Sequence, residues 1–250
     1  MSLRTDSIHM EYRLQFKTPF HLGTGLRSGL VHRTVTRDAE GYLYVPGSTI
    51  KGAVRGQVTW LSTLLGLPVR EPHNTQGDLT EAIAAADITT CLFGSRFMPG
   101  SLFFDDLAMS QDARDFFDRK PGEKDRYFLP AQTQPRTQVS LSPITRSARA
   151  GHLFTSEYGL PTLSFDGVIY GQVKGVPTFN DGRFTHALLI LVAGLLCVDS
   201  LGTNKSVGSG KAVVRINKVL FNGQDQSLQE LLEAFQFEEG EFDMMLQEGQ

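Results

Sequence analysis

Lys51 and Arg55 stand four residues apart in the run Pro46-Gly47-Ser48-Thr49-Ile50-Lys51-Gly52-Ala53-Val54-Arg55. That spacing is one helical turn, so the two cations share a face. Ile50, Ala53, Val54, Val58 and Leu61 follow the same period and form a separate apolar stripe. Pro46-Gly47 is a turn signal, and Ser48 is the expected N-cap. The first turn of a helix prefers acids, because its free N–H groups carry the positive end of the dipole. Two cations there suit a helix that binds an anion. The competing reading is a solvated basic face.

A second basic segment is Leu201-Gly202-Thr203-Asn204-Lys205-Ser206-Val207-Gly208-Ser209-Gly210-Lys211. Gly202, Gly208 and Gly210 permit close backbone approach to a ligand, and Lys205 and Lys211 favour an anionic one. The spacing is not that of a Walker A loop, since Ala212 follows Lys211. The alternative is a flexible connection with Gly202 as a helix C-cap. The loop Gly23-Thr24-Gly25-Leu26-Arg27-Ser28-Gly29 lacks the dinucleotide spacing and follows an apparent antiparallel strand.

The carboxylates Asp105 and Asp106 are adjacent on a strand pattern, so they point to opposite faces and read as structural. None of the histidines (His9, His21, His32, His73, His152, His186) has metal-pair spacing, and no metal site is expected. His32, beside Arg33 and near Arg27 and Arg37, is a candidate general base on a ribose 2′-hydroxyl or a phosphate-contacting surface residue. No Ser-His-Asp or Cys-His arrangement stands out.

The elements that must carry these residues follow from periodicity. Ile8, Met10, Tyr12, Leu14 and Phe16 alternate with polar residues and predict a strand. Val31–Arg37 reads as a strand or ribbon, Leu43–Val45 as a short strand, and the helix runs to about Leu65. Further on come a short helix at Leu79–Ala86, a strand at Ser101–Met109 and a short polar helix at Ala113–Phe117. Tyr127–Ser156 contains no acid but carries Arg136, Arg146, Arg149 and His152. A segment this long without regular structure is functional or disordered. Leu163–Val173 is a strand, Thr185–Ser200 an apolar helix, Lys211–Phe221 a strand and Ser227–Phe237 an amphipathic helix. This order predicts an α+β fold of ferredoxin-like type, an antiparallel sheet with helices on one face.

The 250 residues suffice for one large domain, with 40% hydrophobic and 20% charged residues. The apolar run Ala187–Val198 is too short to cross a bilayer, and no signal peptide is read at the N-terminus. Cys91 and Cys197 read as buried free thiols of a reducing compartment, so the expected location is cytoplasmic. The net charge of −3 is uneven: eight of the 27 acids lie in 223–250, which has no Lys or Arg. That leaves 19 acids against all 24 basic residues in 1–222, a formal +5. The body is compatible with a nucleic-acid partner, and the tail is a solvated appendage or a subunit contact.

Several of these pieces, in this order, resemble the RAMP superfamily of CRISPR-associated proteins, in particular the repeated backbone subunits of type III effector complexes. They are Phe20-His21-Leu22-Gly23, Tyr44 to Arg55, Leu92-Phe93-Gly94, Arg136-Thr137-Gln138-Val139 through Ile144-Thr145-Arg146, and Leu201-Gly202 to Gly208-Ser209-Gly210-Lys211. The resemblance implies an RNA-recognition-like domain over 1–222, with a thumb-like β-hairpin insertion at about 127–160. The acidic helix and tail of 223–250 fall outside it. It further implies guide CRISPR RNA and target RNA as partners, together with other CRISPR-associated subunits and neighbouring copies or paralogues in a filament-like complex. Membranes and cofactors are not among the expected partners; a divalent metal enters only if RNA is cleaved.

On this resemblance the RNA-binding residues are Arg27, His32, Arg33, Ser48, Lys51, Arg55, Arg136, Arg146, Arg149, Lys205 and Lys211, with the glycine loop Gly202, Gly208 and Gly210. Target-cleaving members carry an Asp in the loop corresponding to Ser28–Arg37, where this chain has His32. A histidine among arginines is a poor Mg²⁺ ligand. The resemblance therefore implies a guide-holding subunit in antiviral defence rather than a target-cutting one. The alternative is an endoribonuclease of the same superfamily, cutting target or processing guide RNA with His32. A third reading is a structural end-cap or adaptor that contacts protein partners.

Overall fold

A computed structural model describes residues 5–29, 31–69, 87–96, 98–118, 129–174 and 184–234. The helix expected at Leu79–Ala86, His73 and most of the acidic tail lie outside the described residues. The elements in chain order are β1 (Thr5–Phe16), β2 (Tyr44–Val45), α1 (Gly47–Leu64), α2 (Ile88–Phe93), β3 (Leu102–Phe104), β4 (Leu107–Met109) and α3 (Gln111–Asp118). They continue with β5 (Thr133–Leu141), β6 (Ala148–Gly159), β7 (Ser164–Lys174), α4 (His186–Leu196), β8 (Ala212–Phe221) and β9 (Gln224–Asp225). A helical segment over 228–234 follows.

Seven strands form one sheet in the order β2-β4-β7-β1-β8-β9, with β3 also paired to β7, and every pairing is antiparallel. The period-2 pattern of β1 decides its orientation: Ile8, Met10, Tyr12, Leu14 and Phe16 are all buried, while His9, Glu11, Arg13 and Gln15 face outward. Each such apolar side chain contributes about 1.5–3 kcal/mol relative to exposure. Helices α1 and α4 pack against one another, and α4 lies against β8. Nine of the eleven residues of α4 are buried, as an all-apolar helix requires. Thr185 caps it by accepting the Leu188 amide.

Four expectations need correction. Val31–Arg37 is not a regular strand; it makes only isolated bridges, Ser28 with Val31, Gly23 with Val35, Arg33 with Ser156 and Arg37 with Leu43, because its pairing partners are loop and hairpin rather than sheet. The Ser101–Met109 strand is split at Asp105-Asp106 into β3 and β4. The α4 helix ends at Leu196 with Cys197 as its C-cap, so Gly202, five residues further on, is not the cap. Cys197 is exposed and Cys91 half-buried; both are free.

Residues 133–159, which take in most of the acid-free segment and have Glu157 near their end, form a hairpin of their own, β5 paired with β6 in a separate two-stranded sheet. Residues 142–147 make its turn, where Arg146 takes a left-handed φ of 54°. The hairpin is rooted in the main body by the Phe20–Gly159 and Arg33–Ser156 bridges. Phe20 in turn stacks on Phe16 at 3.8 Å, with Phe165 edge-on to both.

Candidate functional site

Three segments meet where the hairpin is rooted: residues 20–24, the base of β6, and the glycine loop 201–210. The Thr203 amide donates to the His21 carbonyl at 3.1 Å and the Gly210 amide to the Pro19 carbonyl at 2.9 Å. Gly202 has a φ of 91°, and a Cβ on it would lie 2.5 Å from the His21 carbonyl oxygen, so both conformation and approach demand glycine. Asn204, itself left-handed, donates from Nδ2 to the Tyr158 hydroxyl at 2.6 Å. His21 lies 5.6 Å from the Tyr158 ring, centroid to centroid.

The cations of this corner are held by aromatic faces. The Arg136 guanidinium sits 5.0 Å above Tyr158, and that of Arg33 sits 5.7 Å above Phe154. Tyr158, Ser156 and Phe154 share one face of β6, and the Ser156 hydroxyl is buried without a hydrogen-bond partner among the described residues. On the other face Glu157 accepts from Arg37 at 2.5 Å, from Thr133 at 2.6 Å and from the Val35 amide at 3.1 Å. Burial alone would raise its carboxyl, but these three donors outweigh it and hold the group below the usual carboxylate range.

Lys51 and Arg55 occupy a different setting, the flank of α1. Their described neighbours are the Phe104 ring, 5.9 Å from Lys51 Nζ, and Asp87 at the start of α2. Burial lowers the affinity of both for their protons, and in Lys51 the charge of Arg55 adds to it. One guanidinium nitrogen of Arg55 is buried with no partner among the described residues. Ser48 is exposed and is not the N-cap. Pro46 takes that position, and Asp106 reaches across to accept the Gly47 amide at 2.7 Å. Proline suits a helix start because it brings no N–H of its own, and the carboxylate supplies the acceptor a serine cap would have offered.

His32 is anchored to β6: its amide donates to the Thr155 carbonyl at 2.9 Å and its Nδ1 accepts the Thr155 amide at 3.2 Å. Nδ1 is therefore unprotonated, so the neutral ring carries its proton on Nε2 and presents a donor there rather than a base. Asp38 is committed as well: it accepts the Glu40 and Tyr42 amides and pairs with Arg114 at 3.2 Å. Arg27, Lys205, Lys211, Arg146 and Arg149 are exposed, the last two on the hairpin. The structure thus joins Arg33, His32, Arg136 and the glycine loop around the hairpin base, and it sets Lys51 and Arg55 on α1. Reasoning from sequence did not single out Tyr158, Asn204 and Glu157. Glu157 was visible as the acid that ends the acid-free run; the other two carried no signal.

The molecule is a mixed α/β protein, an antiparallel sheet backed by two packed helices with a two-stranded hairpin beside it. A RAMP superfamily sequence model matches residues 13–213, and the chain belongs to that superfamily. No curated protein matches it in sequence. Its fold is similar to that of a chain in the cryo-EM structure of the type III-B Cmr-beta bound to cognate target RNA. That similarity has a TM-score of 0.54 at 11% identity and covers 83% of this chain and 96% of the other. A chain in the apo state of the same assembly gives a TM-score of 0.53 at 11% identity, covering 84% and 97%.

Proposed function

We propose that this chain is an RNA-binding backbone subunit of a type III CRISPR ribonucleoprotein, holding guide RNA and its target in antiviral defence. The observation that carries it is the convergence of the glycine loop, the His21 segment and the base of an arginine-bearing hairpin at one corner. Phosphate contacts there position a strand without reading its sequence, as a guide holder must. In this reading the order β1-α1-β3/β4-β7-α4-β8 is a ferredoxin-like core over 1–222. The hairpin is its thumb, and 223–250 is an acidic appendage. Lys51 and Arg55 take backbone phosphates, with Arg27, Lys205 and Lys211 on the exposed loops.

The partners are guide and target RNA, other CRISPR-associated subunits and adjoining copies or paralogues in the cytoplasm. Among the described residues no helix is long and apolar enough to cross a membrane. The reading assigns no cofactor and no cleavage; the donor tautomer of His32 and the engaged Asp38 support this. Fluorescence anisotropy with single-stranded RNA should show affinity that falls steeply with salt. A parent protein without salt-dependent RNA binding, but with affinity for partner subunits, would replace this reading by the adaptor. Regularly spaced, Mg²⁺-dependent cuts in labelled target by the assembled complex would replace it by the endoribonuclease.

A further inference from the structure

His21 is only 4% exposed, yet one of its ring nitrogens has no hydrogen-bond partner among the described residues. The rest of the residue is fixed. Its carbonyl accepts the Thr203 amide, its ring lies by Tyr158, and Nδ1 is 2.6 Å from the Glu157 carbonyl oxygen. A carbonyl only accepts, so Nδ1 carries the proton and the neutral ring presents Nε2 as a bare acceptor. His32 has the opposite tautomer.

Against Nε2 lies Gly23, an exposed residue whose φ is outside the left-handed region. Glycine is not needed there for conformation. A Cβ at position 23 would sit 2.8 Å from Nε2, so the missing side chain leaves that nitrogen approachable. The corner therefore offers one oriented acceptor among cations. A phosphodiester has no proton to give it. In a nucleic acid the donors are base amino and imino groups, which vary with sequence, and the ribose 2′-hydroxyl, which is present at every nucleotide of RNA and absent from DNA.

We infer that His21 Nε2 accepts a hydrogen bond from a ribose 2′-hydroxyl, which makes this corner select RNA over DNA. The inference rests on the strand-holding role proposed above and names what that site recognises. The test uses the full chain with single-stranded RNA, 2′-fluoro RNA and DNA of one sequence, read by anisotropy. The 2′-fluoro strand keeps a ribose-like pucker but cannot donate. The parent should bind RNA about three- to tenfold more tightly than 2′-fluoro RNA, the range of one neutral hydrogen bond. His21→Asn, whose amide still reaches the Glu157 carbonyl but lacks Nε2, should bind the two strands equally. Gly23→Ala, whose Cβ would lie 2.8 Å from Nε2 and so cover it or push the ring aside, should do the same and serves if His21→Asn fails to fold. Equal affinity of the parent for RNA and 2′-fluoro RNA overturns the inference and leaves the strand-holding role intact. Absence of salt-dependent RNA binding by the parent overturns both.

Discussion

The two places where this molecule collects cations are built on opposite principles. At the hairpin base each arginine has a partner: Arg33 has Phe154, Arg136 has Tyr158, and Arg37 has Glu157 and Thr133. On the flank of α1, Lys51 and Arg55 lie near each other, burial disfavours their charge, and one Arg55 nitrogen has no described partner. The first arrangement fixes geometry before any ligand arrives. The second leaves electrostatic free energy unsatisfied until an anion does. A strand holder needs both, one to set where the strand lies and one to supply attraction.

The comparison is broken most forcefully at Glu157. Glu157→Ala would leave Arg37, Thr133 and the Val35 amide without their shared acceptor, and should cost about 3 kcal/mol of stability in a denaturant melt. A loss below about 1 kcal/mol would mean the hairpin base is not a pre-set frame. Next in size is the double variant Lys51→Ala with Arg55→Ala. It should weaken single-stranded RNA binding by about ten- to a hundredfold and reduce the salt slope by about 1.4, while leaving the melting temperature of the free protein unchanged or raised. A fall in melting temperature with unchanged RNA affinity would show that those cations are structural after all.

The same division has a signature in pH. The folded-state pKa of Glu157 is depressed, so its contribution is complete above the ordinary glutamate value of 4.5 and is lost as pH falls below it through the folded value. Stability measured from pH 6 down to pH 3 should therefore decline less steeply in Glu157→Gln than in the parent. Arg136→Ala, which removes one stacked cation, should weaken RNA binding only about threefold. Smallest of all, Thr162→Gly relieves a β-branched residue at φ 71°, a gain that the entropy of glycine partly offsets, and should raise stability by about 0.5 kcal/mol without changing RNA affinity. It lies outside both basic regions and so serves as their control.

Much of the fold is written in local periodicity. β1, α1, β7, α4 and β8 lie within a few residues of their expected positions, because each has one face or the whole element buried and the pattern records it. What escaped depends on distant partners. Ser48 resembles an N-cap until Asp106, fifty-eight residues further on, takes the Gly47 amide. Helix α2 is six residues long, too short to show a period, and is fixed by Asp87 accepting the Thr90 amide. At the site, the glycine loop and the arginine-bearing segment were legible from composition. His32 reads in the sequence as a base or a phosphate-contacting surface residue, and its tautomer is set by the Thr155 amide across 123 residues. His21, Tyr158 and Asn204 acquire meaning only when three remote segments meet.

The pairing of β1 with β8 reaches beyond the site. Phe16 lies opposite Ala212 and Ile8 opposite Phe221, so β1 waits until β8 has been made before its second edge is covered. During synthesis the apolar face of β1 and the apolar body of α4 have no completed sheet to shelter in. A chain cut short before position 212 would expose both and should aggregate, whereas a chain that includes β8 joins it to β1 side by side. Formation of this sheet is therefore close to all-or-none, with β8 as the piece that completes it.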